Sequence, residues 1–189
     1  MTTHKANSPV VIVLASGRGE RFIAAGGTGS KLKAPLAGRP VLERTLDAVR
    51  ASGLPWHVED AGHPGMGDSI AAAVRATSGA AGWLILPGDL PLVQPRTLQA
   101  VAAALGGVVN AVQPQYQGER GHPVGFAAAC GAQLAALEGA AGAASVLRAM
   151  RAIDSVIDLA VDDVGVVTDI DTPEALARAE ALWLAREGA

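Results

Sequence analysis

The sequence predicts one α/β domain in three layers, with helices covering both faces of a mostly parallel sheet. Three observations predict it. The runs that read as strands, such as V-V-I-V-L-A at Val10 to Ala15 and W-L-I-L at Trp83 to Leu86, are apolar without alternation, as strands buried on both faces are. Segments of helical spacing alternate with these runs, the order that builds a parallel sheet with crossover helices. Of the 189 residues 50% are hydrophobic but only 3% aromatic, so the apolar mass is mostly Ala, Val and Leu, small enough for close helix-on-sheet packing. That length suits one sizeable core and is short for two. The domain is expected to span residues 1–189, with its core from about 10 to 186.

The elements follow in order. The first strand, Val10 to Ala15, runs into a long glycine-rich stretch, Ser16 to Pro35. Val41, Leu42, Leu46 and Val49 fall at helical spacing, so a helix covers Val41 to Ser52 and stops at Gly53. Trp56 to Val58 reads as a short second strand. Gly65-Met66-Gly67-Asp68-Ser69 opens a helix running from about Ser69 to Ala76, with Asp68 or Ser69 available as its cap. Trp83 to Leu86 is a third strand, ended by Pro87-Gly88-Asp89. Pro95 to Leu105 is helical, Val108 to Val112 a strand, and Gly121 to Phe126 a turn followed by a strand. Ala128 to Leu137 and Ala144 to Met150 read as helices, and Val156 to Val161 as a late strand. The last helix runs to about Arg186, with Thr172 as N-cap, Pro173 at the first position and Glu174 complementing the dipole.

Charged residues make up 17% and the net charge is -3, which leaves no basic footprint for nucleic acid but room for one phosphorylated small ligand held by local donors. No apolar run approaches the ~18 residues that cross a membrane, and Met1 to Pro9 lacks the apolar stretch of a signal peptide. A cytoplasmic protein without a membrane partner is expected. The single cysteine, Cys130, lies in an Ala-rich segment and reads as a small buried residue rather than a nucleophile.

In an open α/β sheet, ligands bind beyond the carboxyl ends of the strands. That rule selects Ser16 onward, Pro87 onward and the loop around Asp169, and the polar and glycine-rich motifs fall at those places. In L-A-S-G-R-G-E-R-F, Leu14 to Phe22, Gly17 and Gly19 let backbone N–H groups approach phosphate oxygens. Arg18 and Arg21 can add charge-assisted hydrogen bonds. Lys31 follows a second glycine cluster, and Lys33 competes with it for a place on the phosphates. The glycine spacing fits neither the dinucleotide fingerprint nor the P-loop. The segment reads as a triphosphate cradle of another kind or, failing that, as a surface loop.

In W-L-I-L-P-G-D-L-P-L a strand delivers Asp89 into the crevice, where a carboxylate suits Mg²⁺, a hard cation that takes oxygen ligands and substrate phosphates. A turn aspartate satisfying nearby N–H groups is the alternative. In V-V-T-D-I-D-T-P-E-A-L, Val166 to Leu176, the helix start accounts for Thr172, Pro173 and Asp171 but not for Asp169. Asp169 is therefore assigned as the second metal ligand, with Asp171 the second choice. The two are expected on opposite sides of the segment, one toward the ion and one toward the helix.

In content and order these motifs resemble those of the MobA/MocA-like molybdenum-cofactor nucleotidyltransferases. L-A-S-G, Arg21, Lys31-Leu32 and P-L-A-G-R-P-V-L at Pro35 to Leu42 resemble the opening signature. Gly65-Met66-Gly67-Asp68-Ser69 resembles a helix start near the nucleotide base. Arg120-Gly121-His122-Pro123 resembles a turn of the MocA-like branch, and Asp169-Ile170-Asp171-Thr172-Pro173-Glu174 the closing motif. The resemblance runs from Val10 to about Leu184 and implies the Rossmann-like fold of the nucleotide-diphospho-sugar transferases. It implies that Leu14, Ala15, Ser16, Gly17, Arg18, Gly19 and Ser69 lie along the nucleotide, and that Lys31 and Arg21 serve the triphosphate. It further implies that Asp89 and Asp169 hold Mg²⁺ and that Arg120 and His122 face the acceptor. There are departures. Phe22 to Ser30 make the link to Lys31 longer than in the family, and that loop is expected to order on binding. Only Trp56 to Pro64 stands where the family has a fuller α/β unit, and Ala140 replaces the aspartate of a Gly-Asp motif.

The implied activity is transfer of a nucleotide from a nucleoside triphosphate to a phosphorylated acceptor of the molybdopterin type, releasing pyrophosphate, with Mg²⁺ as cofactor and a molybdoenzyme as a further partner. Ser16 matches neither the Leu-Ala-Gly-Gly of guanine users nor the Leu-Ala-Ala-Gly of cytosine users; its side chain is nearer alanine, which favours CTP over GTP. Three alternatives stay open: another phospho-acceptor, a non-catalytic cofactor carrier or maturation chaperone for a molybdoenzyme, and an Ala-rich α/β binding domain whose loops are only loops.

Overall fold

In chain order the elements are β1 (Val10–Leu14), α1 (Glu20–Ala24), β2 (Pro35–Leu36), β3 (Arg39–Pro40), α2 (Val41–Ala51), β4 (Trp56–Glu59), α3 (Met66–Ala76), β5 (Gly82–Pro87), α4 (Pro95–Ala104), β6 (Ala111–Tyr116), β7 (Glu119–Arg120), β8 (Val124–Ala127), α5 (Gly131–Ala135), α6 (Ala144–Ala152), β9 (Val156–Ala160) and α7 (Pro173–Glu187). Short 3-10 turns lie at Lys31–Lys33, Ala128–Cys130 and Val164–Val167. The computed structural model describes residues 8–17 and 19–188, so Arg18 lies outside the described residues.

The main sheet runs β4-β1-β5-β8-β6-β7, with β9 along β6. β1 is parallel to β4 and β5, and β9 is parallel to β6, while β8 runs against both its neighbours. All but β7 and β8 therefore share one direction, as a mostly parallel sheet requires.

Because successive side chains of a strand point to opposite faces, the unbroken apolar runs feed two cores. Val10 and Ile12 join Trp83 and Ile85 under Ile70 and Val74 of α3, Leu134 of α5 and Met150 of α6. Val11 and Val13 join Leu84 and Leu86 under Leu46 and Val49 of α2 and Leu98 and Val101 of α4. Each such side chain contributes about 1.5–3 kcal/mol by leaving water. A third cluster, with Phe22, Leu36, Leu92, Ile170 and Ala179, seats the glycine-rich loop and the segment before α7. Cys130 is buried, its thiol donating to the Asn110 carbonyl at 3.5 Å, and burial pushes that thiol above its usual value.

Several elements differ from expectation for local reasons. α3 begins at Met66, and neither Asp68 nor Ser69 caps it; Gly65 is the N-cap residue and supplies no side-chain bond. Asp68 instead accepts the Gly139 amide at 3.0 Å, tying α3 to the turn at Gly139. The strand sought from Val108 starts at Ala111. Gly106 and Gly107 turn at positive φ and leave Val108 90% exposed, and the pairing with β9 continues to Gln115. The helix read over Ala128 to Leu137 is a 3-10 turn followed by the short α5. P-L-A-G-R-P forms the β2–β3 hairpin, with Ala37 and Gly38 at positive φ in its turn.

Candidate active site

β1 and β5 lie side by side in parallel, with Leu14 opposite Pro87, so their carboxyl ends open on the same side of the sheet. A cleft of about 750 Å³ begins there, within the range of small-ligand sites. Its lining includes Ser16, Gly17 and Gly19 after β1, Pro87, Gly88 and Asp89 after β5, and Asp169 and Asp171 before α7. The three places selected by the strand-end rule thus converge.

The turn after β5 is tightly built. Gly88 donates its amide to the Leu14 carbonyl at 2.9 Å, and a Cβ at position 88 would lie 2.9 Å from that same oxygen. The Thr45 hydroxyl donates to the Gly88 carbonyl at 3.0 Å. Asp89 is thereby aimed into the cleft while 8% exposed. Its own carbonyl accepts the Ile170 amide at 3.1 Å, which brings the segment before α7 against it.

That contact corrects one expectation. Asp169 and Asp171 do not point to opposite sides: both line the cleft, and Ile170 between them is buried in the third cluster. In an extended segment residues i and i+2 share a face, so the intervening residue takes the other side. Asp169 is exposed, whereas Asp171 is engaged.

The charges are arranged around Lys31. Its Nζ lies 2.5 Å from Asp89 Oδ2 and 2.6 Å from Asp171 Oδ1, with the side chain 13% exposed. Arg21 Nη1 donates to Asp171 Oδ2 at 2.8 Å from a largely exposed position. Burial disfavours the Lys31 ammonium, but Asp89 and Asp171 outweigh it and hold the amine above its usual value. The bonds from Lys31 and Arg21 in turn hold the Asp171 carboxyl below the usual carboxylate range, against partial burial. Asp89 Oδ1 is buried with no hydrogen-bond partner. Among the described residues no group of three His, Cys, Asp or Glu is arranged to hold a metal.

The opposite wall is the turn before β8. The Gly121 amide donates to the Pro114 carbonyl at 2.8 Å and the His122 amide to the Val166 carbonyl at 2.9 Å. A Cβ on Gly121 would stand 2.1 Å from that Val166 oxygen, so only glycine fits. His122 Nδ1 is buried without a partner. Burial pushes the imidazole below its usual value, the Ile85 carbonyl, Asp89 and Asp169 pulling the other way. Arg120 reaches the rim with its guanidinium 2.9 Å from Asp158.

The cleft brings together Leu14, Ser16, Gly17, Gly19, Arg21, Lys31, Ser69, Asp89, Arg120, His122 and Asp169. Ala15 stands outside its lining and donates its amide to the Glu59 carbonyl. Lys33 lines a separate, smaller cavity with Phe22 and Gly27, which separates the two candidate lysines. The Ser16 and Ser69 hydroxyls are 3.1 Å apart. Ala140, in place of the carboxylate, leaves an uncharged surface on the lining. Among the lining residues that the sequence reading did not single out is His63, whose Nε2 is 3.4 Å from the buried Glu59 carboxylate. The signal was available, since Glu59 ends β4 and the strand-end rule applies there as well.

A three-layer α/β domain with a glycine-rich loop, a lysine and aspartates at parallel strand ends is of the class that handles phosphorylated nucleotides. Residues 47–156, more than half of the chain, match the MobA-like NTP transferase domain, and the chain belongs to that family of nucleotidyltransferases. The matched stretch includes Asp89 and His122 but not Lys31 or Asp169. Among curated proteins, the bifunctional protein GlmU of Halorhodospira halophila is 32% identical over 119 residues, 51% of this chain and 24% of that protein. The chain spans about a quarter of the length of the curated relatives it matches. Among solved structures, Rv0371c of Mycobacterium tuberculosis is 25% identical with a TM-score of 0.69, covering 92% of this chain and 98% of that one, and it has also been solved with manganese. Molybdopterin-guanine dinucleotide biosynthesis protein A of Archaeoglobus fulgidus shares the fold at 20% identity, with a TM-score of 0.59 over 93% of this chain and 99% of that one. No helix among the described residues is long and apolar enough to cross a membrane.

Proposed function

We propose that the protein transfers a nucleotide from a nucleoside triphosphate, CTP in preference to GTP, to the phosphate of a molybdopterin-type acceptor and releases pyrophosphate. The observation that carries this reading is the meeting of Lys31, Arg21, Asp89 and Asp169 in one cleft from distant parts of the chain. The backbone of Ser16, Gly17 and Gly19 cradles the triphosphate, and Lys31 and Arg21 neutralise charge on the departing pyrophosphate. Arg120 and His122 orient the acceptor, whose phosphate oxygen forms a bond to the α-phosphorus as the bond to pyrophosphate breaks. No covalent protein intermediate is needed, because positioning and electrostatics supply the acceleration.

The residues fit a divalent cation. Asp89 Oδ1 is buried and unpartnered, and Asp169 lies exposed in the same cleft, so these two carboxylates would hold Mg²⁺ together with substrate phosphates. The cation would supply Lewis-acid screening at the transferring phosphorus. The manganese complex of Rv0371c supports a divalent site in a similar fold. For base choice, the support is Ser16, whose side chain is nearer the alanine of cytosine users and whose hydroxyl lies 3.1 Å from that of Ser69.

The test is pyrophosphate release from CTP and GTP with molybdopterin and Mg²⁺, alongside thermal shifts for the four nucleotides. Release with CTP above GTP, and a nucleotide-dependent rise in Tm, are expected. No release from any nucleotide overturns the enzymatic reading. Release with a sugar phosphate but not molybdopterin moves the acceptor while keeping the chemistry.

A further inference from the structure

Among the described residues, Asp171 is the one cleft carboxylate that grips both Lys31 and Arg21, cations assigned to the triphosphate: Lys31 Nζ at 2.6 Å and Arg21 Nη1 at 2.8 Å, one on each of its oxygens. Those contacts span the chain, joining residues 21 and 31 of the glycine-rich loop to residue 171. The carboxylate is anchored from behind, since Ile170 is fully buried and its amide is bonded to the Asp89 carbonyl. The arms that reach it are different: Arg21 is 84% exposed, and its helix is a single short turn. Lys31 Nζ also lies against Asp89 Oδ2, so the ammonium stands between two carboxylates where positive charge is wanted. Asp169, two residues away on the same face, has neither cation.

We propose that Asp171 is an internal stand-in for phosphate: with no ligand bound it occupies Lys31 and Arg21, and a triphosphate must win those two cations from it. This inference rests on the nucleotidyltransferase reading and adds to it a positioning residue that couples the divalent cation to the nucleotide. A cation drawn to Asp89 and its neighbours weakens the hold of those carboxylates on Lys31, so the arms pass to the phosphates more readily when metal and nucleotide arrive together. Bare triphosphate competes against the full set of ion pairs and binds weakly. The device also keeps Lys31 from resting unpaired in a poorly solvated place, which costs far more than a paired charge there.

The experiment measures binding of CTP, GTP and inorganic tripolyphosphate by calorimetry, in EDTA and in Mg²⁺, to the wild type, Asp171→Asn and Asp169→Asn. In EDTA, Asp171→Asn should bind tripolyphosphate roughly three- to tenfold more tightly than the wild type, the range expected when a competing solvent-accessible ion pair is removed. Asp169→Asn, which loses the same charge without freeing either cation, should gain clearly less. The ratio of affinities with and without Mg²⁺ should shrink in Asp171→Asn. Equal gains for the two variants, or no gain for Asp171→Asn, overturn the inference, because the effect would then be general cleft charge. Thermal unfolding of each variant checks the fold. If Asp171→Asn does not fold, Arg21→Ala provides the second arm: it removes one pair, and the gap between binding in EDTA and in Mg²⁺ should narrow with it. A gap unchanged in Arg21→Ala overturns the proposal. The failures are distinguishable: a wild type that binds tripolyphosphate but releases no pyrophosphate from any nucleotide sinks the enzymatic reading alone.

Discussion

The two walls of the cleft differ in how their polar groups are partnered. On the loop wall the two described cations that face the cleft have partners: Lys31 and Arg21 both sit on Asp171, and Lys31 on Asp89 as well. On the sheet wall two buried polar atoms have none, Asp89 Oδ1 and His122 Nδ1. An unsatisfied buried group costs about 1–3 kcal/mol, so a fold keeps one where something else completes it. The loop wall is self-satisfied and must be displaced. The sheet wall is held in place by the backbone bonds of Gly88, Gly121 and His122. On the proposed function, the difference means that affinity for phosphate would be set on the loop by competition, and chemistry on the sheet by placement.

The largest expected effect falls on the sheet wall. Asp89→Asn should lower turnover by about a thousandfold, the scale of losing an electrostatic group matched to the transition state. Its melting temperature should change little, since the variant removes a buried charge while Lys31 keeps Asp171. Pyrophosphate release and thermal unfolding measured together check both halves. Turnover near wild type breaks the contrast between the walls. On the loop wall, Lys31→Ala should weaken triphosphate binding by about a hundredfold. Lys33→Ala, facing the other cavity, should leave it within about twofold. Equal losses for both lysines in a binding titration would mean that the loop acts by bulk charge.

Gly121→Ala probes the joint between the walls. Its new methyl would collide with the Val166 backbone, which cannot swing aside as a side chain can. A loss of about 2 kcal/mol in chemical denaturation is expected from such overpacking. Because the His122 amide bonds the same Val166 carbonyl, turnover should fall by more than the lost stability explains. A variant as stable and active as the wild type would show that the two walls do not depend on that contact.

Much of this was legible in the sequence because it rests on strong local signals. The runs at Val10 and Trp83 could only be strands buried on both faces, and Pro87-Gly88-Asp89 and Thr172-Pro173 carry their own punctuation; Thr172 does accept the Ala175 amide at 3.1 Å as a cap. What was not legible depends on partners far along the chain. Nothing near Asp68 tells that Gly139 will take its carboxylate, so a capping role was the natural local inference. Nothing near Asp171 tells that Lys31 and Arg21 will converge on it. The opposed placing of Asp169 and Asp171 was a different kind of error, a misapplied periodicity, since Ile170 between them already announced the buried side. Glu59 and His63 were missed because β4 is only four residues long and nothing local tells that its end faces the cleft.

The smallest expected effect lies at the rim, where Arg120 leaves the cleft to meet Asp158. Asp158 takes two bonds from Arg151, at 3.2 and 2.6 Å, and one from Arg120 at 2.9 Å. Hydrogen bonding from Arg151 is the largest influence on its carboxyl; burial, the next, opposes it, and with Arg120 added the group is held far below the usual carboxylate range. The sign follows from linkage. A carboxyl whose folded value is depressed stabilises the fold fully above its unfolded value, near 4, and loses that contribution as pH falls toward the folded value. The cluster is partly solvated, so the effect is about 1 kcal/mol rather than the full value of a buried pair. Urea denaturation of the wild type should therefore show a midpoint that drops below about pH 4. Asp158→Asn should start lower at pH 7 and fall less steeply over that acid range, the residual slope coming from Asp171 and Glu174, whose carboxyls are also held below their usual range. Parallel acid limbs would show that the arginines at the rim are held by packing rather than by charge, and Arg120 would then be free to serve an acceptor without giving up an ion pair.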